Sequence, residues 1–218
     1  NGFDVADLKI IGKYAYVLSR DGIDIMDVSD PSSLTIVGTY DVWTSASTLA
    51  RGIYVQGKYA YVATDNYLLI LNISDASTPT LAGTYDQNGY GQRIYVSGKY
   101  AYMTTRVGGQ LGLKIIDISN PSIPSLAGSY SSSNDAYGIQ VAGDYAYMTM
   151  STAGLAIINI SNPSSPSLVG TASTGTTYNL HVVGKYAYTA SSTAGLRIVD
   201  INGVKIPTLQ SGSISTNS

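Results

Sequence analysis

The chain contains no cysteine and no glutamate, and only one histidine, one phenylalanine and one tryptophan. Each scarcity closes off a class. With no cysteine and one histidine, a zinc site of ordinary ligand type is excluded. The lack of cysteine itself fits either redox compartment, because disulfides are common but not obligatory outside the cell. Without glutamate, long helices lose one of the residues that normally cover their exposed faces. Charged residues make up 12% of the chain and the net charge is −2. No cationic footprint for nucleic acid or an anionic membrane surface is present. No apolar run approaches the roughly 20 residues that span a bilayer, so no direct membrane insertion is expected. The first residue is Asn1 rather than Met, as after leader removal or trimming.

What is abundant points one way. The 218 residues include 19 Tyr and 23 Gly, with Ser and Thr throughout. Tyr, Val, Ile and Thr favour strands, so the composition is all-β. Sparse charge with many Tyr, Ser, Thr and Asn fits a secreted or surface protein better than a cytosolic enzyme.

One segment recurs. Gly-Lys-Tyr-Ala-Tyr, or once Gly-Asp-Tyr-Ala-Tyr, starts at Gly12, Gly57, Gly98, Gly143 and Gly184, with spacings of 45, 41, 45 and 41 residues. Five units therefore account for the chain. Each reads as four short strands, A to D. Strand A precedes the motif, as at Ile53-Tyr54-Val55, and the Gly-Lys pair is a two-residue hairpin turn. Strand B is Tyr59-Ala60-Tyr61-Val62 and strand C is Leu68-Leu69-Ile70-Leu71, apolar enough to be buried on both faces. Strand D follows a proline, as in Pro79-Thr80-Leu81-Ala82-Gly83-Thr84-Tyr85. Strand B sets large Tyr against small Ala and Val, which lets neighbouring sheets interlock. Units of this size, each unable to bury both faces alone, predict a five-bladed β-propeller of four-stranded antiparallel blades. Five blades closing a ring is the simplest count. The expected domain is 1–210, with 211–218 a linker or frayed tail; further blades or domains beyond it are compatible with the sequence.

The segments Leu113–Tyr130 (LKIIDISNPSIPSLAGSY), Leu155–Gly170 (LAIINISNPSSPSLVG) and Leu196–Ile201 (LRIVDI) resemble the LVIVD repeat of bacterial and archaeal cell-surface proteins. The resemblance covers all five units. It implies a propeller in an extracellular or cell-surface setting and brings no catalytic residues with it. The fifth unit departs from the pattern at Asn202–Pro207, which replaces the Ser-Asn-Pro segment.

The repeat also locates what is not repeated. In such a blade the A–B and C–D connections share one face, and the B–C and D–A connections the other. All seven prolines fall in C–D connections, and every A–B turn is Gly-Lys or Gly-Asp. The opposite face carries both insertions, at 41–52 and 106–110, where ligand chemistry is usually placed on a rigid scaffold. The remaining aromatics, Tyr67, Tyr90, Tyr137, Tyr178 and Trp43, map there, as do Arg20, Arg51, Arg93 and Arg106 with Asp21, Asp65, Asp86 and Asp135.

Other residues read as structural. Five equivalent copies of the motif tyrosines would point between blades rather than at one substrate. His181 aligns with Lys9, Tyr54, Tyr95 and Gln140, a position that takes any sizeable polar side chain. Asp27, Asp117 and Asp200 interchange with Asn72 and Asn159 at the end of strand C, which suits an Asx turn better than a calcium site. Asn72 and Asn159 are also formal glycosylation acceptors.

The sequence thus predicts a non-enzymatic binding or adhesion module for a glycan or a cell-surface protein. Arg51, Arg93, Tyr137 and Tyr178 are expected at the entry to the inner strands, Trp43 and Tyr90 on the outer wall, and Arg106 nearby. No cofactor, metal or nucleic acid is expected, and self-association is compatible. The alternatives are a structural subunit of a surface layer or filament, and a polysaccharide-active enzyme.

Overall fold

A computed structural model describes residues 4–43, 48–106, 111–192, 194–201 and 211–213. Among the described residues, twenty strands form five four-stranded antiparallel sheets, each built from consecutive strands. Blade 1 comprises β1 (Val5–Ile11), β2 (Tyr14–Ser19), β3 (Gly22–Asp27) and β4 (Thr35–Asp41). Blade 2 comprises β5 (Ala50–Gln56), β6 (Tyr59–Thr64), β7 (Tyr67–Asn72) and β8 (Thr80–Asp86). Blade 3 comprises β9 (Tyr90–Ser97), β10 (Tyr100–Arg106), β11 (Gly112–Asp117) and β12 (Ser125–Ser131). Blade 4 comprises β13 (Ala136–Ala142), β14 (Tyr145–Met150), β15 (Gly154–Asn159) and β16 (Ser167–Ala172). Blade 5 comprises β17 (Thr177–Val183), β18 (Tyr186–Ser191), β19 (Gly195–Asp200) and β20 (Ser211–Ser213). The chain forms two compact units, Asn1–Ala101 with Asp117–Ser125, and Tyr102–Ile116 with Leu126–Ser218.

One expectation needs correction. The tail beginning at Ser211 was expected to be a linker, yet Ser211, Gly212 and Ser213 pair with Val199, Ile198 and Arg197. These residues close the backbone hydrogen bonds of β19, which would otherwise lack partners on that side. Residues 214–218 and the divergent 202–207 segment lie outside the described residues.

The A–B turns are uniform because one residue in each takes positive φ. Gly12, Gly57, Gly98, Gly143 and Gly184 have φ between 57° and 60°, and the following Lys or Asp does not share the positive φ. That is the pattern of a type II′ hairpin, which matches the strand twist. After Gly12, Gly57, Gly98 and Gly184 the lysine ammonium lies 5.0 to 5.5 Å from the first Tyr ring of the motif. In the first four motifs the second Tyr, at 16, 61, 102 and 147, is buried. Burial pushes the Tyr16, Tyr61 and Tyr147 hydroxyls above the ordinary phenol range, so they stay neutral.

Strand C is buried on both faces in blades 2, 3 and 4. Its alternation assigns each face. Ile23 and Ile25 of blade 1 join one core cluster with Ile53, Val55, Leu69 and Leu71 of blade 2. Leu155 and Ile157 of blade 4 likewise join Val182, Ala187 and Val199 of blade 5. The first and third residues of strand C therefore face the next blade, and the second and fourth face the previous one.

The C–D loops add a second junction. Asp27, Asn72 and Asn159 each accept hydrogen bonds from the backbone N–H and hydroxyl of the serine two residues on, Ser29, Ser74 and Ser161. Asp30, Asp75 and Asn162 repeat this with Ser32, Ser77 and Ser164. Tandem Asx turns thus fix the C–D loops of blades 1, 2 and 4. The loop then sits on the strand D glycine of the preceding blade. A Cβ on Gly38, Gly83 or Gly128 would overlap the carbonyl oxygen of Ala76, Pro121 or Pro163 respectively. That contact explains the glycine in the Leu-x-Gly step of strand D.

Candidate functional site

The residues singled out on the variable face fall into two groups, one in each unit. Several owe their direction to the same device. The pairing of strand A with strand B shifts register between Ala50 and Gly52, between Ala136 and Ile139, and between Thr177 and Asn179. Arg51, Tyr137 and Tyr178 occupy these bulges, which turn a side chain out of the regular alternation. Ala6 occupies the same place in blade 1, between Val5 and Asp7.

In the first unit, the Arg51 guanidinium makes a fork on Asp65, with Nε to Oδ1 at 2.7 Å and Nη2 to Oδ2 at 3.1 Å. Both side chains are largely buried. Arg93 Nη1 donates to the Arg51 carbonyl oxygen. These two arginines are thus brought together, with Arg51 charge-compensated by Asp65. Tyr90 opens β9 and is exposed. Trp43 is half-exposed, its backbone N–H donating to the Asp21 carbonyl at 2.9 Å. Residues 44–47 of the insertion lie outside the described residues. Tyr67 packs partly against the blade 1–blade 2 core, and its N–H donates to Thr64 Oγ1 at 2.8 Å.

In the second unit, the structure brings together Arg106, Tyr137 and Tyr178. The Tyr137 and Tyr178 rings meet edge to face with centroids 4.9 Å apart and planes at 86°. The Arg106 guanidinium carbon lies 5.7 Å from the Tyr137 centroid, in cation–π range. Its Nε is buried without a hydrogen-bond partner. Tyr137 is anchored from behind, its carbonyl accepting from Thr104 Oγ1, while Gly138 N–H donates to Thr149 Oγ1 at 2.8 Å. Tyr178 is 50% exposed. The result is an aromatic corner carrying one cation. Residues 107–110 of the adjoining insertion lie outside the described residues.

Sequence reasoning missed a cavity of about 530 Å³ at the variable end of blade 1, lined among others by Asp4, Arg20, Asp21, Asp24, Tyr40 and Asp41. Two of the lining residues form an ion pair, Arg20 Nε meeting Asp4 Oδ2 at 2.7 Å. Burial holds the Asp24 carboxyl above its ordinary range. The density of aspartate in the first unit was the available signal, but its convergence depends on three separate strands. Among the described residues, no group of three or more His, Cys, Asp or Glu could hold a metal ion. His181 is exposed on β17. Asn72 and Asn159 use their side-chain oxygens in the Asx turns already described.

The comparisons with known proteins agree with this architecture. No curated protein matches the sequence. A periplasmic gluconolactonase of Pseudomonas aeruginosa is similar in structure, with TM-score 0.78 and 14% identity over 96% of this chain and 70% of that one. A protein of unknown function from Desulfotomaculum acetoxidans gives TM-score 0.77 at 11% identity, covering 99% of this chain and 70% of that one. The β-propeller domain of Cps50 (Swd1) from Myceliophteria thermophila gives 0.73 at 10% identity, covering 97% and 72%. Identities this low speak to fold alone, and the fold is a five-bladed β-propeller. The LVIVD repeat itself matches at residues 2–42, 49–87, 88–132, 133–174 and 174–211, which is nearly the whole chain, and the protein therefore belongs to the LVIVD-repeat family.

Proposed function

We propose that the protein is a secreted or surface-displayed, non-enzymatic binding module whose variable B–C/D–A face takes a saccharide, with carboxylated sugars preferred. The observation that carries this reading is the Arg106–Tyr137–Tyr178 corner. The half-exposed Tyr178 ring offers an apolar face to a sugar ring, and Tyr137 holds it at a fixed angle. Arg106 supplies the cation beside the Tyr137 ring that would attract a ligand carboxylate. The strand-borne position of Arg106, Tyr137 and Tyr178 limits the ordering cost of binding.

The test is a glycan array of neutral and uronate-containing saccharides, probed with the wild type and with Arg106→Ala and Tyr178→Ala. Binding to one saccharide class, lost in both variants, supports the reading. Equal signals from wild type and variants, or no bound saccharide, would refute it. Turnover of a polysaccharide or lactone would favour an enzyme instead, a reading that the resemblance to a gluconolactonase raises only at the level of fold.

A further inference from the structure

The connection from β8 to β9 in the first unit is Gln87-Asn88-Gly89, and its first residue is firmly held. Gln87 is fully buried; its backbone N–H donates to the Asn66 carbonyl at 3.0 Å and its side-chain Nε2 to the Thr64 carbonyl. Asn88 follows, its backbone N–H donating to Asp86 Oδ1 at 2.9 Å. It is exposed, and with φ at 48° it is the one non-glycine residue in the left-handed region among the described residues. Asn visits that region more readily than most residues. Gly89 comes next, so no Cβ crowds the amide nitrogen that follows the Asn88 side chain. Other asparagines are placed differently. Asn120 and Asn162 precede proline, which has no N–H, and Asn72 and Asn159 precede isoleucine, whose branched Cβ crowds the amide. In all four the Oδ1 also accepts a hydrogen bond from the serine two residues on. Asn88-Gly89 is the only Asn-Gly step among the described residues; the one at 202–203 lies outside them.

We propose that Asn88 is a site of spontaneous covalent modification, deamidating through a cyclic imide formed with Gly89. The Gly89 nitrogen attacks Asn88 Cγ. An N–Cγ bond forms, the Cγ–Nδ2 bond breaks, and Nδ2 leaves as ammonia with the Gly89 amide proton. Water then opens the five-membered ring. Addition at Cγ gives aspartate, and addition at the Asn88 main-chain carbonyl gives isoaspartate, in which the chain runs through the former side chain. One water enters and one ammonia leaves, with no oxidant or other reagent. Asparagine is counted among the thermolabile residues. Residues 87–89 lie between strands, so the ring closes without unpairing a sheet, and exposure admits the water. Each event replaces a neutral amide by a carboxylate two residues from Asp86 and two from the exposed Tyr90. The variable end of blade 2 in the first unit thus gains negative charge with time, whether or not the protein binds a saccharide.

Peptide mapping by mass spectrometry after prolonged incubation at mildly alkaline pH tests this, using the wild type, Gly89→Ala and Asn88→Gln. A parallel incubation uses heavy-oxygen water, and fragment spectra separate Asn88 from Asn202. In the wild type, Asn88 is converted to aspartate and isoaspartate, with isoaspartate in excess, and the product takes up heavy oxygen from the labelled water. Asn72, Asn120, Asn159 and Asn162 stay intact over the same period. Gly89→Ala slows conversion at Asn88 by about tenfold, the rate effect of a modest steric rise in the barrier. Gly89 is not among the glycines with positive φ, so its backbone accepts alanine, and melting curves check that both variants fold. Asn88→Gln, whose ring would need a sixth member, does not convert. An Asn88 that stays intact, conversion at the wild-type rate in Gly89→Ala, or a product without isoaspartate each overturns the inference.

Discussion

The Tyr137 and Tyr178 rings stand edge to face at 4.9 Å, each projected from a bulge at the start of strand A in consecutive blades. The repeat has thus been used twice at one place to point an aromatic side chain out of the sheet, while blade 1 has Ala6 and blade 2 Arg51 there. A scaffold that fixes position while side-chain chemistry varies is what a binding face requires.

Because Tyr178 is half-exposed, Tyr178→Ala changes stability by no more than about 0.5 kcal/mol. Its saccharide affinity falls about tenfold, equivalent to about 1.4 kcal/mol. Calorimetric titration beside a thermal melt separates the two effects. A large drop in melting temperature would assign Tyr178 to packing.

Arg51 behaves differently. Removing it leaves the largely buried Asp65 carboxylate without its fork, so Arg51→Ala destabilises by about 1–3 kcal/mol. Adding Asp65→Ala recovers part of that loss, since the orphaned charge is then gone. Urea denaturation of the two single variants and the double variant closes the cycle. Additive losses would mean that the pair is not coupled.

Two glycine substitutions separate two causes. Gly83→Ala drives a methyl into the Pro121 carbonyl and costs about 1–3 kcal/mol through overpacking. Gly98→Ala meets nothing within 4 Å, but φ is 58° there, and the left-handed backbone costs about 1–2 kcal/mol. Replacing Gly98 by Asn, which tolerates that backbone better, restores most of the loss, whereas Gly83→Asn is worse than Gly83→Ala. Denaturation midpoints of the four variants provide the check.

The C–D loops are acid-sensitive in one direction. Hydrogen bonds from the Ser29 hydroxyl and N–H, followed by that from Lys13, hold the Asp27 carboxyl down at about 2, below its ordinary 3.8. A carboxyl lowered by folding contributes stability that is fully present above about 3.8 and is lost as pH falls toward about 2. Asp30, Asp75 and Asp117 are lowered for the same reason, each by its serine two residues on. Asp27→Asn, which reproduces the Asx turn of Asn72, flattens this part of the acid response. Carbon-detected NMR titration of the Asp27 carboxyl follows it directly, and a midpoint near the ordinary value would contradict the loop account.

Much of the fold was legible in the sequence because its signals are local. A glycine that must take positive φ before two tyrosines marks each hairpin, and an unbroken apolar strand C marks burial on both faces. The glycines at 38, 83 and 128 were visible, but their cause was not, since each answers to a loop of the following blade. Ser211–Ser213 was missed as a strand because Gly and Ser carry no side-chain alternation to read. For the site, the repeat identified the unrepeated residues without revealing their neighbours. Arg51 and Asp65 are paired across a hairpin, and the blade 1 cavity draws on three strands, so both depend on register and bulges that leave no compositional mark.

The most direct test of the central claim is isothermal titration of a uronate-containing oligosaccharide against the wild type, Arg106→Ala and a neutral analogue of the same sugar. The account predicts saturable one-to-one binding by the wild type. It also predicts affinity about tenfold weaker on removing either the Arg106 guanidinium or the ligand carboxylate, with little further loss when both are removed. Equal affinity for the acidic and neutral sugars, unchanged by Arg106→Ala, would contradict it.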